Sequence, residues 1–376
     1  MKKIFLLFLL IITGAFAQKK QQNFITIEGD VTGFKDGDKI NLVDQYNGIT
    51  LGLTNIKNNK FKFDKIKVED ATQFYIGIGE DGEWYDIKTF FSEINTTLKI
   101  VGDKKNLENC MIINSKLNDK HIEFNSISTK LNKKIDSIYN EVVELKKQGK
   151  WDTIIRKKYR GPNGIVDKIE GAILNKQKEY FFKNSNTIFA QKHLLRYYIS
   201  DFSISELNAF YFSLTKENKK NKYGKLIQTY INNKQLLLGD SFYDISAEDE
   251  NGIIHNFSDI IKDKYTLISF TSPYCPYNVD SIKDLLKLEI DSKEKINIVT
   301  YYIDSDKKEW IDFNKEKKID WICLWNNNMR FSEAVAKYHI SGTPTFYLFD
   351  KKGKMIKLFD GYDEDVFYKE IFEIIK

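Results

Sequence analysis

Between residues 24 and 101 hydrophobic and polar positions alternate. FITIEGDV, DKINLVD and KFKFDKIKV place an apolar side chain at every second residue. TQFYIGIG and TTLKIVG follow, and Gly, Asp and Asn fill the breaks. A period of two predicts strands with one buried face, and several short ones predict a small sandwich or barrel. Asn58-Asn59, between LTNIK and KFKF, predicts a hairpin turn. From 115 to 235 the period changes. FNSISTKLNKKIDSIYNEVVELKKQ sets Ile127, Leu131, Ile135, Ile138 and Val142 along one helical stripe. After the break Gly161-Pro162-Asn163-Gly164, further helices are predicted in GIVDKIEGAILNKQKEYFF, SISELNAFYFSL and GKLIQTYINNKQLL. Heptads are not sustained, so a small bundle or an α-helical arm fits better than a coiled coil.

From Leu238 onward strand and helix patterns alternate. YTLISF is a continuous apolar run of the kind buried on both faces of a sheet, with an amphipathic helix directly after it. INIVTYYID, WICLW, TPTFYLFD and GKMIKLFDG read as further strands, and KKEWIDFNKEKK, RFSEAVAKYHI and DEDVFYKEIFEII as helices. This order predicts an α/β domain with a mixed central sheet and helices on both faces. The expected organisation is therefore a β-sandwich-like region (18–112), an α-helical linker or bundle (113–236) and an α/β domain (237–376).

Composition adds a compartment. The chain begins MKKIFLLFLLIITGAFAQ, two lysines followed by a short apolar run and Ala15-Phe16-Ala17. That pattern predicts a secretory signal over 1–17, cleaved after Ala17, with the remainder periplasmic or secreted and without an integral membrane segment. The net charge of +5 comes from mixed signs, and the densest basic run, KENKKNKYGK, fits a solvated helix end. Nucleic acid is not an expected partner. Three cysteines, Cys110, Cys275 and Cys323, are too few and too odd in number to form a disulfide scaffold, so the core must be hydrophobic. The four histidines form no constellation. His121 and His193 fall in the helical region, His255 in the opening hairpin of the last domain, and His339 just before a Gly-Thr-Pro stretch. No zinc spacing and no phosphate loop appear, so neither a metal nor another cofactor is expected.

The candidate chemistry sits in SFTSPYCPYN. Cys275 ends the turn after a strand and opens a helix, where unpaired backbone N–H groups and the positive end of the dipole favour a thiolate. Pro276 suits the first helical turn. The predicted helix stripe is Val279, Ile282 and Leu286, with Leu285 beside it. Asn278 stands one turn further on, where its amide can donate toward the sulfur but cannot attack it.

SFTSPYCPYN, with YHISGTPTFYLFDKKGKMI about 65 residues later, resembles the thioredoxin-like family, and within it the exported TlpA/ResA-like, AhpC/TSA-type branch. The resemblance covers about 238–376, and the β-rich region is similar to an uncharacterised domain that precedes such modules. Tyr274 stands where the family has Trp, and the motif Cys275-Pro276-Tyr277-Asn278 replaces its CxxC. The resemblance implies a thiol-disulfide oxidoreductase whose Thr343-Pro344 peptide is cis and faces the cysteine, holding the substrate. Three of the four prolines, Pro273, Pro276 and Pro344, lie in the two loops concerned. With Asn278 at the second position, dithiol chemistry is excluded, and mixed disulfides with protein or small-molecule thiols and disulfides are expected through one sulfur. Cys110 reads as structural and Cys323 as a small buried hydrophobe, which could serve as a second sulfur for Cys275 only through a local rearrangement. Two alternatives stand beside this reading. One is an inactive binding protein of the cell envelope. The other is a one-Cys peroxidase, for which Ser272 fits but Ile268 replaces the required proline, and Arg330 is the arginine available to approach.

Overall fold

The computed structural model describes residues 22–80, 83–292 and 294–376. The expected signal segment, 1–17, lies outside them. Among the described residues no helix is long and apolar enough to cross a membrane.

The β-rich region holds strands β1 (Asn23–Thr32), β2 (Lys39–Asp44), β3 (Ile49–Asn55), β4 (Lys60–Val68), β5 (Thr72–Glu80), β6 (Glu83–Ser92), β7 (Thr96–Asp103) and β8 (Met111–Ile113). They form two four-stranded sheets, ordered β4-β1-β7-β8 and β3-β2-β5-β6. The alternating residues meet between them: Ile25 and Ile27, Ile40 and Leu42, Ile76 and Ile78, Leu98 and Ile100 share one core. Asn58 and Asn59 both take positive φ (52° and 61°), and Lys57 and Lys60 exchange both backbone hydrogen bonds across them. The predicted turn is present, but β3 and β4 diverge from it into opposite sheets. The pattern reading did not single out β6, whose short alternation around Ile87 is bounded by the adjacent apolar pairs Trp84-Tyr85 and Phe90-Phe91.

The helical region begins with α1 (Lys116–Lys147), capped by Ser115, whose side chain accepts from Asn118 N. The rest is α2 (Thr153–Tyr159), α3 (Ile165–Lys183), α4 (Ile188–His193), α5 (Ile204–Ser213), α6 (Lys216–Lys220) and α7 (Lys222–Asn232), with a π turn over Leu194–Tyr198. The predicted stripe divides. Leu131, Ile135 and Ile138 pack on Val166, Ile169 and Ile173 of α3, whereas Ile127 joins an aromatic core of Phe124, Phe181 and Phe189. Tyr46 and Phe91 from the β-rich region and Phe331 from the last domain enter that same core, so all three regions pack as one body. Lys192, buried, reinforces the joint: it pairs with Asp70 at 2.6 Å beneath the rings of Tyr46, Tyr223 and Phe331. His121 and His193 are buried in the aromatic core, and burial pushes His193 down to about 3.

The last region contains β9 (Ser246–Glu248), β10 (Ile254–Asn256), α8 (Phe257–Ile260), β11 (Tyr265–Thr271), α9 (Pro276–Ser292), β12 (Ile296–Tyr302), α10 (Lys307–Lys317), β13 (Ile322–Trp325), α11 (Glu333–Lys337), β14 (Thr345–Phe349), β15 (Met355–Asp360) and α12 (Phe367–Ile375). One seven-stranded mixed sheet runs β10-β9-β13-β12-β11-β14-β15, with β11, β12 and β13 parallel and β14 antiparallel to β11. Separate hydrophobic clusters line it: Ile268, Phe270, Tyr301 and Tyr338 in one, and Leu267, Leu285, Phe346 and Phe367 in another. β11 lies between two partners, and that explains its unbroken apolar run.

Candidate functional site

β11 ends at Thr271, and the chain turns at once. Tyr274 N donates to Ser272 Oγ (3.1 Å) and Cys275 N to the Ser272 carbonyl (3.3 Å). The Cys275 carbonyl accepts from Asn278 N and Val279 N at 3.0 and 3.1 Å, so Cys275 caps α9, with Pro276 as its first residue. The cysteine is half-buried. Its thiol donates to the Thr343 carbonyl at 3.2 Å, and the Thr343-Pro344 peptide is cis. The two loops that the proline positions singled out are therefore in contact.

Asn278 departs from expectation. It is buried, and its Nδ2 donates to the Ser272 carbonyl at 3.0 Å rather than to the sulfur, while Oδ1 finds no donor. The reason is its place on the helix: the third residue after the cap turns its side chain under the loop. Its role is to hold the loop that carries Cys275. The buried face of α9 is also rotated from the predicted stripe. Asn278, Ser281, Ile282, Leu285 and Leu288 point inward, and Val279 is 38% exposed. Beside it Tyr274 and Tyr277 are 53% and 62% exposed, so an apolar, aromatic surface flanks the sulfur. Partial burial, and then Glu309 beside it, raises the Tyr274 hydroxyl above its ordinary value.

Neither other cysteine approaches. Cys323 lies within β13, aligned with Thr300 of β12 and through it with Ser269 of β11, two strands across and well short of the turn. It is buried, and burial pushes its thiol up to about 12. Cys110 packs against the core of the β-rich region. Arg330 makes no hydrogen bond to the sulfur. Its guanidinium pairs with Asp304 at 2.7 Å instead. His339 bonds to the Asn233 carbonyl and packs edge-on against Tyr230, tying α7 to the segment before the Thr-Pro loop. His255 faces Asp249 at 3.0 Å.

Sequence reasoning missed Arg196 and Tyr197. The π turn brings them to Arg330, Ile340 and Ser341, around a cavity of about 50 Å3 beside the Thr343 loop. Arg196 Nε donates to the Tyr46 carbonyl at 3.0 Å. No local motif marks such a contact, because its partners come from separate regions of the chain.

Residues 260–371 match the family model of the thioredoxin-like domain. The C-terminal region is a thioredoxin-like domain. Solved structures similar to this chain include the thioredoxin domain of a thiol-disulfide oxidoreductase from Bacteroides vulgatus (22% identity, TM-score 0.35), covering 38% of this chain and 100% of that one. A thiol:disulfide interchange protein from Bacteroides sp. is 22% identical, with a TM-score of 0.34, over 37% of this chain and 91% of that one. A thiol-disulfide oxidoreductase from Bacteroides fragilis is 20% identical, with a TM-score of 0.33, over 36% and 99%. No curated protein matches the sequence.

Proposed function

We propose that this is an exported thiol-disulfide exchange protein of the TlpA/ResA-like kind that works through the single sulfur of Cys275. The carrying observation is the 3.2 Å contact between a half-buried Cys275 at the start of α9 and the Thr343 carbonyl beside Pro344. In the forward step the Cys275 thiol loses its proton to solvent and its sulfur attacks one sulfur of a substrate disulfide. A new S–S bond forms at Cys275, the substrate S–S bond breaks, and the other half leaves as a thiolate. Asn278 has no sulfur to attack the product, so the mixed disulfide persists until a thiol from solution attacks it and restores the Cys275 thiol. Tyr274, Tyr277 and Val279 offer the partner an apolar surface next to the sulfur, and Thr343-Pro344 bounds it on the other side.

The test is to incubate the protein with a small disulfide and identify the adduct by peptide mass. The expected result is one adduct at Cys275, absent in Cys275→Ser, with no catalysed insulin reduction. A Cys275 that forms adducts more slowly in the folded chain than in the urea-unfolded chain overturns exchange. The flanking aromatic surface would then serve binding alone.

A further inference from the structure

The cavity of about 50 Å3 beside the Thr343 loop brings together Arg196, Arg330, Ser200 and Ser341, with aliphatic side chains such as Ile199 and Val335 lining the rest. One carboxylate, Asp304, serves both: it pairs with Arg330 at 2.7 Å and also acts on Arg196. Arg330 Nε is buried without an acceptor, and Arg196 spends its Nε on a backbone carbonyl, leaving its terminal NH2 groups for a ligand. Asp304 Oδ1 is buried without a donor as well, so a second Arg330–Asp304 bond can form. Even then two guanidiniums share one carboxylate, which leaves one positive charge over. Burial first, and then the neighbouring Arg330, lower Arg196 to about 10, while Asp304 acts in the opposite direction. The volume accommodates a carboxylate but not a whole substrate.

We propose that this cavity is a carboxylate subsite, and that the disulfide exchanged at Cys275 belongs to an acidic peptide whose carboxylate docks between Arg196 and Arg330. The proposal rests on the exchange reading above and adds the class of its substrate. Ser341 borders the cavity, and two residues further on the Thr343 carbonyl touches the Cys275 sulfur. Even fully extended, two residues span no more than about 7 Å. The docked carboxylate therefore belongs one or two positions from the reacting sulfur of the peptide. Arginine favours such an anion because its planar fork makes two parallel charge-assisted hydrogen bonds.

The experiment compares two symmetrical peptide disulfides, from acetyl-Cys-Gly-Glu-amide and acetyl-Cys-Gly-Gln-amide, and measures the rate at which each transfers one half to Cys275 of the full chain. In each transfer the Cys275 thiol gives its proton to solvent and its sulfur takes one peptide half, while the other half leaves as a thiolate. The Glu peptide should react about tenfold faster, the worth of one charge-assisted pair. Arg196→Gln should bring the ratio of the Glu-peptide rate to the Gln-peptide rate to about one, with folding checked by comparing its far-UV circular dichroism and thermal midpoint with those of the parent protein. Arg196→Lys should keep part of the preference, and added sulfate should slow the Glu peptide alone. Equal rates in the parent protein, or a preference that survives Arg196→Gln, overturn the subsite. A chain that exchanges with neither peptide overturns the exchange reading, and the subsite with it.

Discussion

Cys275 ends the turn four residues past the close of β11, and Cys323 lies inside β13, two strands across the same sheet. Both follow or interrupt apolar runs, and both are free thiols. One is half-buried at a helix start, against a carbonyl of the Thr343 loop and beside exposed Tyr274, Tyr277 and Val279. The other is buried, and burial outweighs the hydrogen bonds from Asn314 and Thr300 and holds the thiol up near 12. The lesson is that position along the strand decides a cysteine's exposure and its neighbours. A cysteine inside a strand is held among its neighbours, whereas one that ends the turn after a strand meets the unpaired N–H groups of the next helix and the facing loop.

The strongest way to break this contrast is to alkylate the folded protein at pH 8 and quantify each site by peptide mass. Cys275 should be modified at least about a hundredfold faster than Cys323, because Cys323 reacts only when the sheet opens. Comparable rates would erase the distinction. Asn278→Cys sharpens it by giving the site the second sulfur it lacks. Oxidation should then link positions 275 and 278, and insulin reduction should rise at least about tenfold over the parent protein. The substitution removes one hydrogen bond worth about 1 kcal/mol, offset by removal of the unpartnered Oδ1, so the fold should tolerate it.

Alkali tests the buried sulfur from the other side. The Cys323 thiol rises from its usual 9.0 to about 12 in the fold, so the folded state favours the neutral form. The stability this contributes is complete below pH 9 and declines as pH rises toward 12, because the unfolded chain loses that proton first. The expected slope is about 1.4 kcal/mol per pH unit in that window. The tyrosines titrate in the same range, so the effect is read as the difference between urea unfolding of the parent and of Cys323→Ala at each pH from 9 to 10, in which their contributions cancel. The variant should be less stable by about 1 kcal/mol at pH 8 and lose less with each step upward. Parallel pH profiles would contradict the sealed environment. The smallest expected effect belongs to Cys110→Ala, which should leave adduct formation at Cys275 within about twofold, since a substitution this far from the site couples weakly to it.

Much of this molecule was legible along the chain. The period of two in FITIEGDV and DKINLVD, the continuous run in YTLISF and the helical stripe of α1 each express a burial requirement that the local sequence carries alone. β6 and the π turn were not legible: their stability comes from partners elsewhere, and their own residues alternate poorly. Asn278 was legible as the absence of a second sulfur but not as a clamp on Ser272, because the direction of a buried amide depends on the donors and acceptors around it.

The sequence by itself determined that a lone cysteine stands where a strand yields to a helix and that the prolines gather in two loops, because these are facts of local order. Only the tertiary structure decided that Thr343 meets the sulfur, that Cys323 stays out of reach and that Arg196 joins Arg330 at the edge of the site. Those outcomes depend on strand order and on the aromatic core that binds three regions together, and residues distant along a chain meet only when packing brings them together.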